Sequence, residues 1–119
     1  MASHNDTGKE GEALAVQWLE DNGYVVVHRN WRHYHLEIDI IATKGKFLHF
    51  IEVKSRYYYP FNYPEESVTR KKFKHLQKAA DEYLFQNSGH PWIQYNIVSV
   101  TFHKYKDPEI FFIEDVFYT

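Results

Sequence analysis

Asp39, Glu52 and Lys54 are residues whose types and spacing could do chemistry in this chain. Two carboxylates held side by side repel each other, and a divalent cation relieves that repulsion. Hard cations such as Mg²⁺ take oxygen ligands, often only one or two carboxylates together with water and a substrate phosphate. A lysine two residues after Glu52 could then touch the attacking water or stabilise charge on the phosphate. The pattern indicates metal-assisted chemistry on a phosphate, provided that the fold brings the three side chains together.

A tight hairpin would bring Asp39 and Glu52 together. The runs Leu36 to Thr43 and Phe47 to Ser55 are typical of strands, and the segment Lys44-Gly45-Lys46 between them is typical of a turn. A two-residue turn at either half of that segment pairs residues whose numbers sum to 89 or 91. Both registers place Asp39 and Glu52 on one face, opposite or diagonal to each other, whereas a three-residue turn would separate them.

Strand alternation also sorts the neighbours of Asp39. On one face we expect Glu37, Asp39 and Ile41, and on the other Leu36, Ile38 and Ile40. A solvated sheet face with cross-strand Glu and Lys pairs would produce the same charges without any chemistry. Leu48 and Phe50 weaken that interpretation, because they share the face of Glu52 and predict a central strand. A carboxylate near the end of a buried strand costs free energy unless it is paired or metal-bound.

Glu12 is a third candidate acid, on the predicted N-terminal helix over about residues 7–22. At about 100° per residue, Glu12 falls inside the apolar arc of this helix, between Leu19 and Val16. Two interpretations stay open at this point. Glu12 sits at the edge of the arc and reaches water, or it leans over the sheet toward Asp39 and Glu52.

The remaining pattern predicts an α/β protein with the element order α-β-β-β-α-β-β. Besides the N-terminal helix, the predicted elements are strands Tyr24 to His28, Leu36 to Thr43 and Phe47 to Ser55, a helix Ser67 to Asn87, and strands Ile93 to Phe102 and Ile110 to Tyr118. The stretch Asn30-Trp31-Arg32-His33-Tyr34 either extends the first strand or forms a loop. Tyr57 to Pro64 is predicted to be an aromatic, proline-broken loop.

Length and composition limit the classes of protein that this chain can be. The 119 residues, 44% hydrophobic and 25% charged, predict a single globular domain over residues 1–119. No apolar run is long enough to cross a bilayer, and the polar N terminus predicts no signal peptide. The absence of cysteine excludes disulfides, thiolate zinc sites and cysteine nucleophiles, and it fits a cytoplasmic location.

Three stretches of the chain resemble the small bacterial YraN-like family. They are Gly11-Glu12-Ala13, Glu37-Ile38-Asp39-Ile40-Ile41 and Phe50-Ile51-Glu52-Val53-Lys54-Ser55-Arg56. That family is grouped by resemblance with the restriction-endonuclease-like (PD-(D/E)XK) nucleases and is close to the archaeal Holliday junction resolvases. The resemblance implies the nuclease fold, a central mixed β-sheet flanked by helices. Two departures from the family pattern are His33-Tyr34-His35-Leu36, where Arg and Gly are common, and Asn96, where an acid is often found.

The resemblance also implies roles for single residues. Asp39 matches the first acid of the nuclease pattern, Glu52 the paired acid and Lys54 the lysine, while Glu12 matches the helix glutamate of the resolvase group. Together with the acidic pattern, this predicts hydrolysis of DNA phosphodiesters with one or two Mg²⁺ or Mn²⁺ ions. Asp39 and Glu52 would hold the metal with Glu12 as an added ligand, and Lys54 would orient or activate the water or stabilise the transition state.

Binding of a DNA backbone requires cations. The candidates are Arg29, Arg32 and Arg56 around the acidic strands, and Arg70, Lys71, Lys72 and Lys74 early in the second helix. The helix cluster could equally be a solvated polar face. The net charge of −2 argues against nonspecific coating of DNA, so the predicted affinity is modest and depends on metal.

Other functions fit parts of the same pattern. The chain could be a non-catalytic nucleic-acid-binding protein on a nuclease fold. It could also be an interaction module in which the aromatic residues form a protein interface and the acids pair with Lys54 and Arg56. A zinc site on His28, His33 and His35 is a further alternative. Because resolvase-like enzymes act as dimers, the resemblance implies a homodimer by analogy.

Overall fold

A computed structural model of the chain describes residues 4–58 and 70–116, with side chains from residue 8 onward. Its elements are α1 (His4–Asp21), β1 (Val25–His33), β2 (Leu36–Lys44), β3 (Phe47–Tyr57), α2 (Arg70–Gln86), β4 (Ile93–Phe102) and β5 (Glu109–Ile113). The predicted order α-β-β-β-α-β-β is confirmed. The first strand extends through Asn30 to His33, and the last strand ends five residues before the predicted end at Tyr118. The predicted loop Tyr57 to Pro64 and the predicted helix start at Ser67 lie largely outside the described residues.

The five strands form one mixed sheet in the order β1-β2-β3-β4-β5. The pairs β1–β2, β2–β3 and β4–β5 are antiparallel, whereas β3 and β4 run parallel and are connected through α2. This is the mixed sheet with flanking helices that the resemblance implies. Among the described residues, no helix is long and apolar enough to cross a membrane.

Helix α1 covers one face of the sheet. Its residues Ala15 and Leu19 are fully buried and belong to one apolar cluster with Ile40, Ile51 and Val98 of the central strands. Burial on this scale stabilises the fold by about 2 kcal/mol for each large aliphatic side chain. These contacts therefore fix the position of α1 across the middle of the sheet.

Helix α2 covers the opposite face and lies mainly over β2 and β3. Leu76, Ala80 and Tyr83 pack with Ile41 and Phe50 in a second cluster. At the N-terminal end of α2, Phe73 packs against Ile97 of β4. The apolar residues of this helix, which recur every three or four positions, therefore face the sheet, as the sequence predicts.

At Asp39 the side chains of β2 change the face of the sheet toward which they point, which simple strand alternation does not predict. Ile38 packs in the cluster under α2, as Ile41 does, whereas Ile40 packs under α1. Across the ladder, Asn30 stands opposite Asp39 and has a left-handed backbone, with φ of +53°. The expectation that Ile38 and Ile40 share a face is therefore wrong. A left-handed residue rotates the strand and redirects the side chains that follow it.

A close helix–sheet approach depends on Gly11. A Cβ atom at this position would overlap the Ser55 side chain on β3, whereas nothing lies within 4 Å of a Cβ at Gly8, three residues earlier in the same helix. Glycine is therefore required at Gly11 by space rather than by backbone conformation. The neighbouring Glu12 depends on this contact for its distance from the sheet.

We expect Gly11→Ala and Gly8→Ala to change stability in opposite directions. Alanine favours a helix over glycine by about 1 kcal/mol, so Gly8→Ala should leave the melting temperature unchanged or raise it. Gly11→Ala should destabilise the protein by about 1–3 kcal/mol, because the overlap with Ser55 forces α1 away from β3. Thermal unfolding of both variants checks this. A melting temperature for Gly11→Ala equal to or above that of Gly8→Ala would contradict the close packing.

Candidate active site

The β2–β3 hairpin sets the relative position of the two central acids. The ladder runs from Lys44 opposite Phe47 to Ile40 opposite Ile51, so the turn is Gly45-Lys46 and the pair numbers sum to 91. Gly45 adopts φ of +60°, which this turn requires and which glycine reaches without strain. Asp39 and Glu52 occupy the next position, directly beyond the last pair of the ladder. The two-residue turn expected from the sequence is confirmed.

The carboxylate of Asp39 replaces backbone pairing at this position. The Val53 N–H donates a hydrogen bond of 2.8 Å to Asp39 Oδ2, where the two main chains no longer pair. A buried N–H without a partner would cost roughly 1–3 kcal/mol, so the side chain satisfies a need that the separating strands create. The same bond fixes the orientation of the Asp39 carboxyl group.

Burial disfavours the charged forms of both acids. It raises the pKa of Asp39 to about 6, against the effect of the Val53 hydrogen bond, and the negative charges of Glu12 and Glu37 add to the rise. Burial, together with the negative charge of Asp39, likewise raises the pKa of Glu52 to about 7. A cation bound between the two carboxylates would remove this penalty, because it would compensate both negative charges. The donor set therefore fits a divalent ion.

Glu12 lies on the buried side of α1. Its side chain is only 15% exposed, accepts a hydrogen bond of 2.7 Å from Asn30 Nδ2, and lies 3.8 Å from Arg29 Nε. The charge of Glu12 contributes to the raised pKa of Asp39. The left-handed backbone of Asn30 thus brings an amide to the α1 side, where it holds the third acid.

Two lysines meet beside Glu52. Burial lowers the pKa of Lys54, and the positive charge of Lys72 on α2 lowers that pKa further. The positive charge of Lys72 also opposes the rise in the pKa of Glu52. The sequence pattern predicts only a DNA-binding role for Lys72. A signal was present, since Lys72 lies one helical turn before Leu76 on the apolar stripe that faces the sheet.

The residues of this site lie inside a match to the uncharacterised protein family UPF0102, which covers residues 11–100. The chain belongs to this family. It is the YraN family, so the resemblance expected from the sequence is confirmed. A UPF0102 protein of Flavobacterium psychrophilum is 40% identical over 99% of this chain and 98% of its own length. Another, of Rhodococcus jostii, is 34% identical over 98% of this chain and all of its own length. A third, of Bacteroides thetaiotaomicron, is 49% identical over 71% of this chain and 69% of its own.

The other cations predicted to bind DNA fall into two groups in this UPF0102 protein. Arg29 and Arg32 lie on β1 in ion pairs with Glu12 and Glu37, at 3.8 and 3.3 Å. The rest lie near the lysine pair: Arg56 farther along β3, and Arg70, Lys71 and Lys74 exposed on α2. The positive charge of Arg56 contributes to the lowered pKa of Lys54. The second group therefore borders the acidic pair on the α2 side.

Metal-binding clusters of three side chains are absent from the described ranges 4–58 and 70–116. Asp39 and Glu52 are therefore the two neighbouring carboxylates of the candidate site. Glu12 acts on Asp39 through its negative charge, which raises the pKa of Asp39. The histidines considered for zinc have other contacts. His33 Nε2 lies 3.1 Å from Glu82 on α2, and the His28 ring packs edge-on against Tyr83.

Asn96, where the family often carries an acid, has a structural role in this chain. It is fully buried, and its amide nitrogen lies 2.7 Å from His49 Nδ1, while the Asp115 N–H donates to its oxygen at 2.9 Å. This arrangement makes Asn96 the donor and leaves the proton of a neutral His49 on Nε2. Burial lowers the pKa of His49, in agreement with the neutral form. Asn96 thus ties β4 to the segment after β5.

Without metal, we expect Glu52→Gln to stabilise the protein at alkaline pH. The raised pKa means that the folded state holds a proton that the unfolded chain has already lost, so stability falls as pH rises from about 4.5 to about 7. Glutamine cannot ionise and removes this loss, on the order of 2 kcal/mol at pH 8. Urea unfolding in EDTA should show the gain at pH 8 and little gain at pH 5. The exposed Glu10→Gln serves as the control, and an equal gain from it would refute a specific penalty at Glu52.

Proposed function

We propose that this UPF0102 protein is a metal-dependent endonuclease that hydrolyses DNA phosphodiesters, with branched or junction DNA as the substrate. The observation that supports this most directly is the pair of half-buried carboxylates, Asp39 and Glu52, beside two lysine amines. Such a pair is unfavourable alone and favourable around a divalent cation. The fold and the family resemblance agree with the same reaction class.

Each side chain of the site has a part in the proposed reaction. Asp39 and Glu52 would hold Mg²⁺ or Mn²⁺, which would supply a water of lowered pKa and charge neutralisation at the phosphate. Asp39 is oriented for this by the Val53 N–H, so its free carboxylate oxygen keeps one direction. Glu12 adds negative charge behind Asp39, which favours cation binding.

The lysines act on the phosphate side of the reaction. Lys54 follows Glu52 by two residues on the same strand face, so its amine can hold the attacking water or an oxygen of the scissile phosphate. Lys72 approaches from α2 and supplies a second positive charge at that position. Arg56, Arg70, Lys71 and Lys74 extend the cationic surface along the DNA backbone.

Assembly and location follow from the same proposal. A junction contains two strands to be cut, so we infer a homodimer in which each copy cuts one strand. Static light scattering measures the oligomeric state directly. The absence of cysteine agrees with work in a reducing cytoplasm.

Asp39→Asn should abolish metal-dependent cleavage while preserving the fold. The asparagine side-chain oxygen can still accept the Val53 N–H, but the metal loses a charged ligand. We expect wild-type protein to cleave four-way, flapped or single-stranded DNA with Mg²⁺ or Mn²⁺, and the variant to be at least about a hundredfold slower. Calorimetry of Mn²⁺ binding should show a matching loss, with Glu10→Gln as the control.

Two outcomes would contradict this assignment. Equal and specific Mn²⁺ binding by wild-type protein and Asp39→Asn would remove Asp39 from the metal site. Salt-dependent DNA binding by wild-type protein without cleavage under any of these conditions would favour the non-catalytic nucleic-acid-binding alternative.

Lys72→Met and Lys71→Met should separate catalysis from backbone binding. Both variants remove one positive charge from the first turn of α2, but of the two lysines only Lys72 contributes to the lowered pKa of Lys54. Lys72→Met should therefore lower kcat by roughly tenfold or more, because a charge beside the scissile phosphate is lost. Lys71→Met should mainly raise KM and reduce the salt dependence of binding. Equal effects of both variants on kcat and KM would place Lys72 in a general cationic surface.

A further inference from the structure

The sheet face that carries Lys54 continues across β4 to the edge strand β5. Lys54 pairs with Ser99, and Ser99 pairs with Phe111, so these residues form one row across three strands. The preceding row, formed by Val53, Val98 and Phe112, packs under α1. Since side chains alternate, the Lys54 row points to the opposite, α2 side of the sheet.

Helix α2 leaves the outer end of this row open, because it lies mainly over β2 and β3. Phe111 is accordingly 67% exposed, although it stands on a sheet face rather than at a loop tip. Ile113, in the neighbouring row, is also exposed, and the buried Ser99 stands between Phe111 and Lys54 in the row. We call this surface the β5 shelf, comprising Lys54, Ser99, Phe111 and Ile113. An exposed aromatic side chain beside charged side chains marks a ligand-binding surface better than a solitary one does.

One end of the β5 shelf is suited to the phosphate of a nucleotide and the other end to its base. Adjacent strands lie about 4.8 Å apart, so the backbones of Lys54 and Phe111 are separated by about 10 Å. At one end Lys54 and its neighbour Lys72 offer positive charge for a phosphate. At the other end the Phe111 ring offers a flat apolar surface for a base. A base inside a duplex is stacked on both sides and has no free face for such a ring.

We propose that Phe111 is a stacking platform for an unpaired nucleotide next to the phosphate that Lys54 binds. The substrate class is therefore DNA with an unpaired base beside the cut, in a single strand, a flap or an opened branch point. This inference rests on the proposed function, since it takes the phosphate at Lys54 from that function.

A second copy of the chain is a less suitable occupant of the β5 shelf. A stable protein interface buries about 800 Å² on each partner, whereas this surface offers two large apolar side chains, Phe111 and Ile113. The next row is polar, because Arg56 pairs with Thr101 and Thr101 with Glu109. Glu109 lies 3.1 Å from Lys106, which offsets its negative charge toward DNA.

The test compares binding of a labelled oligothymidylate with binding of a blunt hairpin duplex, by fluorescence anisotropy at low salt with Ca²⁺ supplied in place of Mg²⁺. The variants are Phe111→Ala, the conservative Phe111→Tyr and the control Phe85→Ala, whose side chain is 84% exposed on α2. Stacking of one base on an aromatic ring corresponds to roughly five- to a hundredfold in affinity. We expect Phe111→Ala to weaken oligothymidylate binding by that factor and duplex binding less than about twofold. Phe111→Tyr and Phe85→Ala should bind as wild-type protein does.

The inference fails if Phe111→Ala binds oligothymidylate as tightly as wild-type protein, or if wild-type protein does not bind it. It also fails if Phe111→Ala loses duplex affinity by the same factor, or if light scattering shows that the substitution dissociates a dimer. These results are independent of cleavage. Phe111-dependent binding without cleavage would support stacking on the β5 shelf and refute the proposed nuclease activity. Cleavage of oligothymidylate that is unaffected by Phe111→Ala would support the nuclease activity and refute the stacking.

Discussion

Burial of Asp39 and Glu52 at the point where β2 and β3 stop pairing is the constraint on which the rest of the site depends. Apolar clusters fill both faces of the sheet next to this point, so neither carboxylate is fully hydrated. The raised pKa values of both groups express that cost. One hydrogen bond, from the Val53 N–H, compensates part of it at Asp39. The remaining negative charge gives this position an affinity for cations, whether lysine amines or a metal ion.

The surrounding elements position charged groups against this pair in three different ways. Helix α1 approaches β3 closely through Gly11, which brings Glu12 to the sheet. Strand β1 turns through the left-handed Asn30, whose amide then holds Glu12. Helix α2 arrives from the other face with Lys72 at the end of its buried stripe. The three acids and two lysines of the proposed site thus come from both sides of one sheet.

The net charge of −2 is compatible with a nucleic-acid partner when the positions of the charges are considered. Acidic residues gather at the proposed metal position, where bound ions would offset them. Basic residues of β3 and α2 border that position on the α2 side. Local potential rather than total charge governs how a phosphate approaches such a site. The buried Asn96–His49 pair, in contrast, uses polar groups for structure alone.

The element order and a two-residue turn that puts Asp39 beside Glu52 were predictable from the residues, because these depend on local alternation and turn chemistry. Glu12 was indicated by the helical phase of α1. The exchange of faces at Asn30, the approach of Lys72 to Lys54 and the row from Lys54 to Phe111 were visible only in the folded molecule. Each of these joins residues distant in sequence, whose contact depends on strand order and helix docking. Strand order and helix docking follow from the packing of the whole core. No periodic pattern of residues in the sequence reveals them.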